Sequence, residues 1–208
     1  MSPRSRRTGR LIAIEGIDGA GKSTLTRALA AALRRRGWSV ALHREPVDRR
    51  LGALAQSASV RDPWTGAVYF TVDRHLADRR LRGRLAKHDL VLTDRSFYST
   101  LAYQGSALPP RDRARLEALQ REATVTPDRV LLVRISPEFA LGRVGGRQKT
   151  RGPLERRRTL ERVARAYDRL SRRSGWTVID GERPVLALVA ESLAALGLDR
   201  RRGGRRRT

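Results

Sequence analysis

A chain of 208 residues carrying 45 lysines and arginines against 21 acids has a net charge of +24 and no cysteine. It is long enough for one domain with a sizeable core, and without thiols it has neither a disulfide framework nor a thiolate metal site. No apolar run approaches the roughly 20 residues that span a bilayer, and the apolar stretch Leu11–Ile14 after the basic lead is too short for a signal peptide, so a soluble cytoplasmic protein with no membrane partner is expected.

The charge would draw any polyanion. Its distribution nevertheless argues against nucleic acid as the partner. Lys22, Lys87 and Lys149 are the only lysines, an arginine bias that a GC-rich coding sequence would give. Residues 1–9 and 199–208 have nothing apolar to pack and are expected to be disordered basic tails. Runs such as LERRRTLERVARAYDRL read as solvated helix faces.

Along the chain, short apolar runs alternate with longer amphipathic ones. Residues 11–15 (LIAIE) form a candidate buried strand that feeds a glycine-rich loop. Residues 22–36 have apolar positions at helical spacing, with Gly37 as the stop. A second strand is expected over 39–44, then a short helix in RLGALAQSA and a long one over 62–87 with Pro63 in its first turn. DLVLTD (89–94) is a third strand. Helices are expected from about Phe97 and near 110–123, and a fourth strand over 129–135. SPEFALGRV opens a further helix, GGRQKTRG a loop, and 154–173 another helix. TVID (177–180) is the fifth strand and PVLALVAESLAALG the last helix. Strands alternating with helices predict an α/β fold: a five-stranded parallel sheet with helices on both faces and ligand loops at its carboxyl edge. Residues 10–198 form a single expected domain, with a lid at about 143–153.

The loop between the first strand and first helix carries the chemistry. Gly16, four residues, then Gly21-Lys22-Ser23 fit a phosphate loop in the strand–loop–helix context that makes the motif credible. Gly16, Gly19 and Gly21 let the backbone approach phosphates and take positive φ. The nucleotide-binding set is Gly16, Ile17, Asp18, Gly19, Ala20, Gly21, Lys22, Ser23 and Thr24. Lys22 is expected to reach the β- and γ-phosphates of ATP. Ser23 and Asp94, the latter ending the third strand, are the expected Mg²⁺ ligands. Arg95, next to that acid, is placed to grip a second phosphate.

With these residues in hand, the chain resembles the thymidylate kinases among the P-loop nucleoside monophosphate kinases. EGIDGAGKST, REP (44–46), FTVDR (70–74), DRSFYSTLAYQG (94–105) and TPDRVLLVRISPEFALGR (126–143) match that family in order. The resemblance implies ATP-dependent conversion of dTMP to dTDP. It also implies that Phe70 stacks on thymine, Arg74 donates to a base carbonyl and Arg95 holds the acceptor phosphate. Ser99, Thr100, Tyr103 and Gln104 would line the base and sugar pocket, with Arg44 and Glu45 as its wall. Asp18 would face the sugar or the metal, which explains an acid in a loop built for anions. A lid arginine, Arg147, joins Lys22, Arg95 and Asp18 as catalytic, and a homodimer through 62–87 is implied. Ser96 stands where the family has Tyr, and no glycine pair follows REP. A kinase for dUMP or a modified pyrimidine, and a P-loop ATPase that binds nucleic acid, are the alternatives. No histidine base is needed, so His43, His75 and His88 read as structural or surface residues.

Overall fold

The computed structural model describes residues 9–145, 157–173 and 175–199. Five parallel strands, β1 (Arg10–Glu15), β2 (Val40–Arg44), β3 (Leu90–Asp94), β4 (Arg129–Arg134) and β5 (Trp176–Asp180), lie in the order β2-β3-β1-β4-β5. β1 is central. Its residues Leu11–Ile14 are buried on both faces, which is why it reads as a continuous apolar run rather than an alternating one. The helices are α1 (Lys22–Arg35), α2 (Arg49–Arg61), α3 (Pro63–Lys87), α4 (Phe97–Tyr103), α5 (Pro110–Ala123), α6 (Pro137–Gly145), α7 (Arg157–Leu170) and α8 (Val185–Ala195). The larger core joins β1, β3 and β4 to α1, α4, α7 and α8. A smaller one packs Leu81 and Leu85 of α3 on Leu11, Ala41 and Val91.

The expected architecture is present, with shifted ends. α2 continues to Arg61, three residues beyond the expected stop. It ends because Asp62 turns extended and caps α3, accepting from Trp64 N at 3.2 Å and Thr65 N at 2.9 Å. α2 and α3 thus form a tight pair, closest at Gly66, where a Cβ would meet Ser59 Oγ at 1.9 Å. α7 ends at Leu170 instead of 173, after Leu160, Val163, Tyr167 and Leu170 have spent its apolar stripe on the core. A 3₁₀ turn over Gly105–Ala107 follows α4 and was not expected. Gly9, expected in the basic tail, is instead buried, and its N–H donates to Leu85 O at 2.8 Å.

The chain leaves β1 toward β2 on one side and later crosses to β4 on the other. The loop after β1 therefore opens into the crevice where strand order reverses, which is where parallel sheets bind ligands.

Candidate active site

Gly16, Gly19 and Gly21 have φ of 146°, 87° and 84°. At Gly16 a Cβ would lie 2.5 Å from Val133 O, so glycine is required twice over. Ile17 and Ala20 are buried in the core and give the loop only their backbone. Thr24 is exposed, its N–H bonded to Gly21 O at 3.0 Å within the helix start. Lys22 is buried, and its Nζ donates to Ile17 O at 2.8 Å. Burial and the Arg95 charge bring its pKa down to about 8, against the opposing pull of Asp18, Asp94 and Glu15. Ser23 Oγ donates to Asp94 Oδ2. One hydroxyl and one carboxylate at a phosphate loop fit Mg²⁺, which keeps waters and takes the rest of its shell from phosphates. No cluster of three or more His or acidic residues suited to a tighter metal site occurs among the described residues.

On the other side of the loop is a cavity of about 240 Å³. All nine acceptor residues named from the sequence line it: Arg44, Glu45, Phe70, Arg74, Arg95, Ser99, Thr100, Tyr103 and Gln104. Asp18 lines it too, so the acid in the phosphate loop faces this cavity. Asp18 Oδ1 pairs with Arg95 Nη2. Desolvation pushes the Asp18 carboxyl up, but Arg95, Lys22 and the Tyr103 hydroxyl outweigh it and hold it below the ordinary value. Desolvation likewise works against the Arg95 charge, and Asp18 more than reverses that. Arg95 has φ of 75°, a left-handed conformation uncommon outside glycine. Its surroundings hold it there. Arg95 N donates to Ile14 O at 3.1 Å, its carbonyl accepts from Thr93 Oγ1 at 2.6 Å, and its Nη1 donates to Ser99 Oγ at 2.9 Å. The guanidinium sits 5.3 Å from the Tyr103 ring, whose hydroxyl accepts from Asp18 N at 2.9 Å.

Arg74 is 4% exposed. Its Nε bonds Glu45 Oε2 at 2.5 Å, Nη1 bonds Gln120 Oε1 at 2.8 Å, and Nη2 reaches Ser96 O at 3.3 Å. Three of its five N–H groups are therefore committed inside the protein. The other two have no hydrogen-bond partner among the described residues, and the Phe70 ring lies 6.0 Å from the guanidinium. Gln104 donates to Ser59 Oγ at 3.1 Å, tying the pocket to α2. Asp73 accepts from Val47 N at 2.8 Å and Asp48 N at 2.7 Å and so pins the segment after Arg44-Glu45-Pro46.

Several residues of the site were not singled out from the sequence. Glu15 is fully buried and accepts from Ser96 N, Ser96 Oγ and Ser99 Oγ at 2.7 Å each, and from Tyr167 Oη at 2.8 Å. This network gives Ser96, which replaces the family's Tyr, a physical role: it locks the chain beside Arg95 to β1 and caps α4. A carboxylate ending an otherwise apolar strand was the available signal. Arg143, in the last turn of α6, places Nη1 3.4 Å from Gly19 O on the phosphate loop. Arg147 and most of the expected lid lie outside the described residues. The three histidines are structural or surface residues, as expected: His43 is buried and meets Arg84, His75 is exposed on α3, and His88, at the end of α3, has Nδ1 2.9 Å from Ser39 Oγ.

A family profile described as thymidylate kinase matches residues 14–192. A probable thymidylate kinase of Metallosphaera sedula is 33% identical over 183 residues, 88% of this chain and 90% of its own length. A thymidylate kinase of Xanthomonas euvesicatoria is 41% identical over 159 residues, covering 74% of this chain and 69% of the relative. A probable thymidylate kinase of Sulfurisphaera tokodaii is 31% identical over 185 residues, 88% of this chain and 94% of its own.

Proposed function

The chain belongs to the thymidylate kinase family, and from that premise we propose that it transfers the γ-phosphoryl group of ATP to dTMP, giving ADP and dTDP. The observation that carries the reading is a single cavity holding an aromatic ring, the buried Arg74, the half-buried Arg95 and a phosphate-loop acid directly beside Lys22.

The acceptor phosphate is already an anionic nucleophile, so the protein has to align it and neutralise charge rather than remove a proton. In this reading the loop amides and Lys22 hold the donor phosphates. Arg95, kept charged and oriented by Asp18 and Ser99, holds the acceptor phosphate. Phe70 stacks on the base, and the two uncommitted N–H groups of Arg74 read a carbonyl. Tyr103, fixed by its bond to Asp18 N, crowds the sugar. Ser23 and Asp94 would hold Mg²⁺, which when bound offsets phosphate charge. Arg143 and Arg147 are the candidates to cover the donor from the lid side. A cytoplasmic setting follows from substrates that are free nucleotides.

We also propose that two copies pair through α2 and α3. Leu54 and Val60 on α2 and Val68, Val72 and Leu76 on α3 are exposed apolar side chains, and Leu76 is 69% exposed. Leu76→Glu should shift the mass measured by light scattering to that of one chain.

An ADP-release assay with a panel of monophosphates tests the catalytic reading. dTMP should be the best substrate, dUMP next, and dCMP and purines far behind. Turnover with none of them, or with dCMP first, would refute it.

A further inference from the structure

A second and larger cavity, about 770 Å³, lies over the open edge of β2. It meets the catalytic cleft at Ser23, Asp94 and Arg44 and then runs away from it, between Arg27 of α1, Arg49 of α2 and Arg80 and Arg84 of α3. Its volume is within the roughly 300–1,000 Å³ typical of small-molecule sites.

The charge in this groove is unbalanced. Arg27, Arg49 and Arg80 are exposed and form no ion pair among the described residues. The acids closest in sequence are engaged elsewhere: Glu45 with Arg74, Asp48 and Asp73 with backbone N–H groups, and Asp78 with Arg82. Asp94, at the catalytic end, is the one carboxylate in the described lining. Arg84 is held in place by an uncharged partner, since its Nη1 lies 3.0 Å from His43 Nδ1. Burial, Arg84, Arg80 and Arg74 bring His43 down to about 4, so at neutral pH it accepts this bond and adds no charge. One wall is apolar: Leu42, which is 36% exposed, with Val47 and Ala53. A rim of free guanidinium groups around a small apolar wall suits a ligand with several phosphates and a flat organic part.

We infer that this groove is a second nucleotide site, separate from the catalytic pair, that takes a nucleoside polyphosphate. An occupant would lie beside Ser23 and Asp94, next to the catalytic cleft but outside it.

The test is calorimetric titration of the full chain with a non-hydrolysable ATP analogue and Mg²⁺. The wild type should bind two equivalents per chain. Arg80→Gln and Arg27→Gln, both at exposed positions, should each weaken one equivalent by roughly tenfold or more and leave the other unchanged, the size expected for a charge-assisted contact. Lys22→Ala should do the reverse, weakening the catalytic equivalent and sparing the groove. Inorganic tripolyphosphate should displace the groove equivalent only at higher concentration, because it lacks the organic part. A single equivalent in the wild type would overturn the proposal, as would a second equivalent indifferent to both arginine variants. Tripolyphosphate binding as tightly as the analogue would remove the nucleotide from it. A single-stranded oligonucleotide binding the same arginines more tightly would assign the groove to nucleic acid instead. Loss of dTMP turnover with two equivalents intact would count against the catalytic reading alone.

Discussion

Two groups of arginines lie on either side of the segment after β2, and they are built on opposite principles. Arg74 and Arg95 are held inside the acceptor pocket, each with a carboxylate of its own and further acceptors around it. Arg27, Arg49 and Arg80 stand in the neighbouring groove with no ion pair among the described residues. A buried arginine without a partner would be costly, so partners are obligatory in the pocket and also fix direction. An exposed arginine has water and can remain free to meet an anion. The comparison separates preorganised charge, which selects and aligns, from available charge, which attracts.

The sharpest way to break this comparison is to remove one member of each group. Arg74→Ala strands Glu45, whose pKa burial already raises and Arg74 restrains, together with Gln120. The expected loss of stability is about 3–5 kcal/mol in a urea titration, as for a broken buried pair. Arg80→Gln should change stability by less than about 0.5 kcal/mol in the same titration. Similar losses for the two would show that burial and pairing do not divide the arginines in this way.

Lys22→Ala tests charge placed on the reacting group. It should lower kcat by roughly a hundredfold or more, a few kcal/mol of barrier, with circular dichroism unchanged. Lys22 also makes a pH prediction. Its pKa lies near 8 in the free protein, below the ordinary lysine value of 10.5. A bound triphosphate favours the charged form and raises that pKa, so binding near pH 8 should take up about half a proton, and less at pH 7. Calorimetry in two buffers of different ionisation enthalpy measures this. No uptake in the wild type would contradict the placement of Lys22 against the phosphates.

Glu15→Gln sharpens the account from behind the pocket. The amide cannot accept all four bonds that the carboxylate receives, and part of the network must be lost. Stability should fall by about 1–3 kcal/mol. Because Ser99 is one of the donors, KM for the monophosphate should rise more than kcat falls. An unchanged KM would make Glu15 purely a core residue.

Much of this was legible in the chain. The buried strands are continuous apolar runs, and the phosphate loop declares itself by glycines that the backbone requires in left-handed or crowded positions. Phe70 and Arg74 sit one helical turn apart, so their shared face followed from spacing. What was hidden depends on contacts remote in sequence. Glu15 meets Tyr167 across 152 positions, and Arg74 meets Gln120 across 46. No local pattern encodes either pairing. The end of α2 was misplaced because a single residue, Asp62, stops one helix and caps the next. Arg143 was passed over because it is one arginine among many, and only its approach to Gly19 distinguishes it.

The most direct test of the central claim, that the paired arginines of the acceptor pocket divide the reading of base and phosphate between them, is kcat/KM for dTMP and dCMP on the wild type, Arg74→Gln and Arg95→Gln. The account predicts that Arg74→Gln narrows the preference for dTMP, mainly by weakening dTMP, because the arginine meets a carbonyl in thymine and an amino group in cytosine. Arg95→Gln should lower both substrates by a similar factor and leave their ratio unchanged. Equal losses of dTMP and dCMP in Arg74→Gln, or a changed ratio in Arg95→Gln, would contradict it.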